Sequence, residues 1–334
     1  MLIPAEQMNS TLKAILSSEG FKEPAAERIA HIFTSSSMDG YHSHGINRFA
    51  EFVKNCRKGV IDPGADVSLR SSFGHVERWD GQGGAGPLNA WKSMNRAVEL
   101  AKKHVLGCVA LSNTNHWMRG GSYGWQAAAS GCIAICFTNT MPNMPPWGGQ
   151  TPTTGNNPIV IALPRSQGHI VIDMSLSQFS YGKLHQHKLN GTSLPFPGGY
   201  DHEGDLTTDP TAIIASKRIL QTGYWKGSGL SLMIDLLAAT LSGGKTTAEI
   251  GTYDAETNLS QVFICIDPSK LYANEAYNQL VNSVLDFYRS ALPEKEGQPI
   301  YFPGERTAGR RAISAKIGIE VKEPIWEGIR ALRK

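Results

Sequence analysis

The chain has 334 residues, 41% of them apolar and 18% charged, with a net charge of +3. Low charge beside an ordinary apolar fraction excludes an intrinsically disordered protein, and the length suffices for about two domains of ~150 residues. The near-balanced charge, without a long basic run, argues against a nucleic-acid partner. No uncharged apolar stretch reaches the ~18 residues of a membrane span, and no signal-peptide pattern opens the chain. The five cysteines (Cys56, Cys108, Cys132, Cys136, Cys265) form no C-x-x-C pair and read as reduced core thiols. No membrane partner and a cytoplasmic location are therefore expected.

From the amino terminus, apolar residues at three- and four-residue spacing predict helices over 6–18 and 24–38, the first closed by Gly20. A third helix is expected with Ser43 as its cap, running through Phe49, Phe52 and Val53 to Gly59. The Asp62-Pro63-Gly64 turn precedes two short strands, 67–71 and 75–79, and a helix over 87–104 that opens on Pro87. Between 108 and 172 the pattern changes to short β runs: CVALSN, CIAICFTN, NPIVIALP and HIVIDMS, with one helix over 121–130. Residues 181–210 read as turn-rich and irregular, 227–241 as a very apolar helix, and 260–266 as a final strand. Helices are expected again over 274–292, 308–317 and 323–334. A sheet-rich middle between helical ends suggests two domains, the outer one built from both termini.

Several motif matches are weak. Gly81-Gln82-Gly83-Gly84-Ala85-Gly86 fits G-x-G-x-x-G between a strand and a helix. No acidic residue stands ~20 positions on to hold a ribose, and no clean βαβ unit follows, so a glycine-rich turn is preferred to a Rossmann site. Gly244-Lys245-Thr246 lacks the first glycine of a phosphate loop (Ala239 stands there) and reads as a helix end. His42 with His44, and His185 with His187, have no third ligand at a sensible spacing, so no metal is expected.

Other features carry chemistry. Between Glu99 and Asp173 there is no carboxylate, but Lys102, Lys103, His104, His116, Arg119, Arg165 and His169 are present. Such one-sidedness favours an anionic ligand, chance in a low-charge sheet being the plain alternative. In Tyr41-His42-Ser43-His44-Gly45-Ile46-Asn47-Arg48, a cap at Ser43 would put His44 in the first helical turn and Arg48 one turn later on the same face. A proton donor beside a two-pronged carboxylate grip suits reduction of a 2-oxo acid; a capped helix with a surface arginine is the structural alternative. Gly223-Tyr224-Trp225-Lys226-Gly227-Ser228-Gly229 leads into the apolar helix as a phosphate seat. Asn113, Asn115, His116, Arg119 and Gly120-Gly121-Ser122 are expected around the same pocket, and Pro303-Gly304-Glu305-Arg306 forms a late charged turn.

Taken together, SHGINRF, NHWMRGGSYGWQ, MPPWG, IDMSLSQFSYG, GYWKGSGLSLMIDLLAATLSGG and PGER, in that order from about residue 5 to residue 330, resemble the malate/L-lactate dehydrogenase-like family of NAD(P)-dependent oxidoreductases. The resemblance implies a mixed α and β fold (α/β, non-Rossmann). A helical, substrate-binding part would span 1–118, a mostly antiparallel mixed-sheet cofactor domain 119–272, and C-terminal helices over 273–334 would return to the first part. It implies hydride transfer at a ketone carbon, with His44 as proton donor and Ser43 and Asp173 as its supporting partners. Arg48 would hold the substrate carboxylate and His116 would lie close to the substrate. Cofactor contacts would come from His169, Ile170, Val171, Ile172, Asp173, Met174 and Ser175, from Trp225 and Lys226, and from Gly304, Glu305 and Arg306. NAD(H) is favoured with NADP(H) open, no metal is implied, and a homodimer or higher homo-oligomer is expected. The expected substrate is a small 2-oxo or 2,3-dioxo acid of sugar-acid origin. Malate, lactate or ureidoglycolate oxidation and cyclic imino-acid reduction are the rivals within the class; a non-catalytic sugar-acid sensor is the rival outside it. Asn156 where G-T-N-P is expected, Asn143 before MPPWG, Gln178 and Lys183 depart from the family pattern and leave substrate and cofactor preference open.

Overall fold

Alternating apolar residues in the middle of the chain build one sheet, and helical periodicity at both ends covers and extends it. The computed structural model describes residues 1–333. β1 (Leu2–Ile3), α1 (Ala5–Ser18) and α2 (Glu23–Met38) come first, and a tight 3-10 turn over His42–His44 leads into α3 (Ile46–Arg57). β2 (Ser68–Phe73), β3 (Val76–Asp80), α4 (Gly86–His104), β4 (Leu106–Thr114), α5 (Gly121–Ala129), β5 (Ile133–Thr138), β6 (Ile159–Leu163) and β7 (Ile170–Met174) follow. Next come α6 (Tyr181–Leu189), β8 (Gly199–Tyr200), β9 (Leu206–Thr207), α7 (Pro210–Ser216), α8 (Trp225–Ser242), α9 (Thr247–Ile250) and β10 (Leu259–Ile266). The chain closes with α10 (Asn274–Arg289), α11 (Glu305–Ile317), β11 (Ile319–Glu320) and α12 (Glu323–Arg330).

The seven-stranded sheet runs β2-β3-β4-β10-β5-β6-β7. Every pairing in it is antiparallel except β3 with β4, so the expected mostly antiparallel mixed sheet is what forms. β10 inserts at the centre, where Val262 pairs with Ala110 on one side and Phe137 on the other. One sheet face packs on α4 and α5 through Val109, Leu111, Cys136 and Phe263; the opposite face packs on α8 through Ala110, Phe137 and Val262. A separate core joins the two ends of the chain, with Leu12, Phe33 and Phe52 against Ile319, Trp326 and Ile329. All five cysteines are buried and unpaired.

Four local expectations change. Ser43 does not cap α3: the Ile46 N–H donates to Ser37 Oγ at 2.8 Å, so the cap comes from α2. His44 therefore lies in the turn before the helix. Residues 181–189 form α6, started by Ser180, whose Oγ accepts from Lys183 N–H; its polar sequence buries only Leu184 and so shows no apolar stripe. The helices expected from 227 and 308 begin earlier, at Trp225 and Glu305, drawing both charged turns into helix starts. Finally, β3, α4 and β4 do form a parallel βαβ unit. Its glycine turn is nonetheless filled by the protein itself, because a Cβ on Gly86 would lie 2.2 Å from the His116 carbonyl oxygen.

Candidate active site

The turn after α2, the segment after β4, the end of β7 and the start of α6 converge on a cleft of about 380 Å³. Ser43, His44, Arg48, His116 and Asp173 all line it, so the sheet and helices bring together residues drawn from 130 positions of chain. His44 is half-buried, with Nδ1 3.1 Å from Ser43 Oγ, and its ring lies nearly parallel to that of His116 at 5.8 Å. Burial pushes the His44 pKa down to about 4; His116, Arg48 and Arg119 act the same way, and the Asp173 charge opposes them. His44 is thus neutral at pH 7 in the free cleft.

His116 is oriented by backbone. The Met118 N–H donates to Nδ1 at 2.9 Å, which leaves Nε2 as the protonated nitrogen of the neutral ring. Burial first, then the Arg48 charge, lower its pKa to about 3. Its Nε2 faces Glu256 Oε2 at 3.9 Å. Glu256, from the loop before β10, also accepts from Met141 N–H at 3.3 Å, and burial raises its pKa. No sequence signal marks this residue.

The two arginines differ. Arg48 projects from the first turn of α3 into the cleft, and its guanidinium makes no ion pair or hydrogen bond among the described residues. Arg119 lines the cleft but is already paired with buried Asp39, which also receives Arg311 Nε at 2.6 Å and Nη2 at 2.7 Å. Its Nε, 3.8 Å from Asp173 Oδ2, has no hydrogen-bond partner. The acid-free stretch is therefore not acid-free in space, since Asp39 arrives from α2's end. Asp173 accepts from Gly121 N–H at 2.8 Å, and no hydrogen bond joins it to His44; its influence on the imidazole is electrostatic.

Strand alternation divides residues 169–175. Asp173 and Ser175 line the cleft, and Val171 enters the core beneath α5. Met174 packs on the opposite sheet face, Ile170 against α10, and Ile172 is exposed. The late turn docks beside this strand, with Val171 N–H donating to the Pro303 carbonyl at 3.1 Å. Gly304 caps α11 at φ 96°, Glu305 is engaged by Arg289, and the Arg306 guanidinium rests over the Tyr301 ring. Trp225 and Lys226 stand exposed on the first turn of α8, outside the cleft lining. Asn113 and Asn115 do not reach the cleft: they bond to Asp80 and to the Gly83 and Gly84 carbonyls. Lys226 and Arg306 carry no ion pair among the described residues. Lys226 lies over the exposed Trp225 ring and Arg306 over the exposed Tyr301 ring, a pairing of free cation and aromatic face whose chemistry suits the phosphates and flat rings of a dinucleotide.

Two of the four departures reach the site: Asn143 and Asn156 line the cleft, with Asn143 Nδ2 donating to Asn156 Oδ1 at 2.9 Å, whereas Gln178 and Lys183 stay outside the lining, to which α6 brings Tyr181 and Gly182. Among the described residues no cluster of three or more His, Cys, Asp or Glu side chains could hold a metal ion, and no helix is long and apolar enough to cross a membrane.

A non-Rossmann mixed sheet whose cleft pairs histidines with a free arginine defines a dehydrogenase of small acids. The chain belongs to the malate/L-lactate dehydrogenase family, whose profile matches residues 3–330, and is an oxidoreductase. It is 42% identical over 333 residues to the 2,3-diketo-L-gulonate reductase of Escherichia coli O6:K15:H31, covering 99% of this chain and 100% of that one. The solved sulfolactate dehydrogenase from Methanocaldococcus jannaschii superposes with a TM-score of 0.91 at 28% identity, over 99% of this chain and 96% of that one. The Δ1-piperideine-2-carboxylate reductase from Pseudomonas syringae pvar. tomato gives 0.87 at 26% identity, over 99% of each chain.

Proposed function

We propose that this chain is a nicotinamide-dependent reductase of 2-oxo or 2,3-dioxo sugar acids, with 2,3-diketo-L-gulonate as substrate. The observation that carries the reading is a single cleft in which His44 and the unpaired guanidinium of Arg48 face the same space. The full-length similarity to a 2,3-diketo-L-gulonate reductase supports the substrate. Arg48 grips the substrate carboxylate in two places and so sets the adjacent oxo group against His44. Ser43 engages Nδ1, which leaves Nε2 for the oxo oxygen. Burial chiefly keeps the imidazole neutral and the Arg48 charge adds to it; a bound carboxylate offsets that charge, so His44 takes up a proton as substrate enters and delivers it to the developing alkoxide. The Asp173 charge stabilises that imidazolium. NAD(H), with NADP(H) as the alternative, would be held by residues 169–175, Trp225, Lys226 and residues 304–306, and supplies the hydride when bound.

The proposal includes a homodimer, because α8 leaves Leu232, Met233, Leu236 and Leu237 exposed along one helix. It includes a reducing, cytoplasmic setting, in keeping with five buried free thiols. Loss of NADH and of NADPH absorbance is to be followed with 2,3-diketo-L-gulonate, pyruvate, oxaloacetate and a cyclic imino acid. Diketogulonate should turn over fastest, and His44→Ala should lower kcat by about a hundredfold or more. Faster reduction of another acid would replace the substrate; equal turnover in the mutant would remove His44 from the chemistry.

A further inference from the structure

One polar pair in the cleft has no part in the proton and hydride steps. His116 Nε2 and Glu256 Oε2 stand 3.9 Å apart, too far for a direct hydrogen bond, and both residues line the cleft. Each is held from behind by backbone: Met118 N–H occupies His116 Nδ1, and Met141 N–H occupies Glu256 Oε1. The forward atoms therefore have opposite roles. Nε2 carries a hydrogen and can only donate, whereas the carboxylate oxygen accepts. An oxygen placed about 2.8 Å from each would span the gap, and it must accept one hydrogen bond while donating another. A hydroxyl does both. A carbonyl or carboxylate oxygen cannot donate, and a methylene does neither.

We propose that His116 and Glu256 together read one hydroxyl on the substrate chain beyond the reacting carbonyl, which makes Glu256 the residue that selects hydroxylated acids over plain 2-oxo acids. This rests on the cleft being the oxo-acid site. Arg48, His116 and Glu256 line the same cleft of about 380 Å³, so the hydroxyl point and the carboxylate grip serve one small acid. The neighbouring Asn143–Asn156 amide pair continues the polar wall on the same cleft. Burial raises the Glu256 pKa, and a largely desolvated carboxyl whose forward oxygen has no hydrogen bond gains from a hydroxyl partner.

The test compares 2-oxo-L-gulonate with 2-oxohexanoate, six-carbon acids with and without chain hydroxyls, by titration calorimetry without reduced cofactor. The wild type should bind the hydroxylated acid at least about tenfold more tightly. In Glu256→Gln the Met141 N–H keeps the amide oxygen, so an N–H₂ group faces the His116 N–H and the hydroxyl loses its acceptor. The preference should then fall to about twofold or less, and in Glu256→Ala likewise. Removing the negative charge favours both anionic acids alike, so the ratio isolates the hydroxyl. A ratio unchanged in both variants, or no preference in the wild type, overturns the proposal. The readout is binding, so it stands even if diketogulonate proves not to be turned over; failure of that turnover alone would instead sink the substrate assignment.

Discussion

Replacing Asp39 with asparagine tests how the cleft's buried charges are balanced. Asp39 and Arg119 are 1% and 3% exposed at their side chains, and Arg311 completes the carboxylate's pairing from α11. Asp39→Asn keeps the shape and one acceptor but leaves the Arg119 guanidinium without its principal counter-charge. Breaking such a pair from one side costs about 3–5 kcal/mol. Arg311 is 38% exposed and can return to water, and Asp173 stays 3.8 Å from Arg119, so the lower end applies. With an unfolding entropy of ~2.1 cal/mol/K per residue, a chain of this length has about 0.7 kcal/mol/K, and a loss of ~3 kcal/mol lowers Tm by about 4 °C. Scanning calorimetry at pH 7 and a fixed scan rate reads that shift. The same variant should lose kcat/KM, because Arg119 then draws on Asp173, whose charge supports the His44 imidazolium. A Tm within about 1 °C of wild type would show that Asp39 does not hold the Arg119 charge, and the electrostatic account of the site would fail.

Arg48→Lys should raise KM for oxo acids about tenfold with a smaller effect on kcat, since a single ammonium cannot reproduce a two-pronged grip; initial-rate kinetics with an unchanged KM would place the carboxylate elsewhere. The pH profile has a definite sign. His44 is depressed to about 4, so proton uptake accompanies substrate binding: reductive kcat/KM should fall as pH rises from 5 to 8, while oxidative kcat/KM, which needs the already neutral ring, should stay flat. A flat reductive profile would separate His44 from proton transfer. Gly86→Ala forces a methyl group to 2.2 Å from the His116 carbonyl oxygen, so a loss of about 1–3 kcal/mol and a larger loss of activity are expected. Wild-type Tm and rate in that variant would show that the turn does not set His116.

Much of the architecture is legible in the chain because its signals are local. The four β runs of the middle section appear within a residue or two of β4, β5, β6 and β7, because short apolar, β-branched runs bounded by glycine, proline and asparagine mark strands locally, even where Ile161 and Ile172 end up exposed. α1, α2 and α4 are equally plain from their periodicity. α6 was not legible: a short polar helix that buries only Leu184 has no stripe to read. The start of α3 was misplaced because its capping oxygen belongs to Ser37 on another helix.

The candidate site divides along the same line. By itself the sequence determined the element types, their apolar faces and the family, and it named His44, Arg48, His116 and Asp173 as residues that meet in one cleft. Only the tertiary structure decided that Arg119 is neutralised by Asp39, 80 residues away, while Arg48 remains free. It alone brought Glu256 to Met141 across 115 residues, and aimed the protonated nitrogen of His116 at that carboxyl. Backbone preference acts over a few bonds and is written locally, whereas burial and Coulomb interaction depend on distance through space, so the charge state of a site exists only once the chain has closed around it.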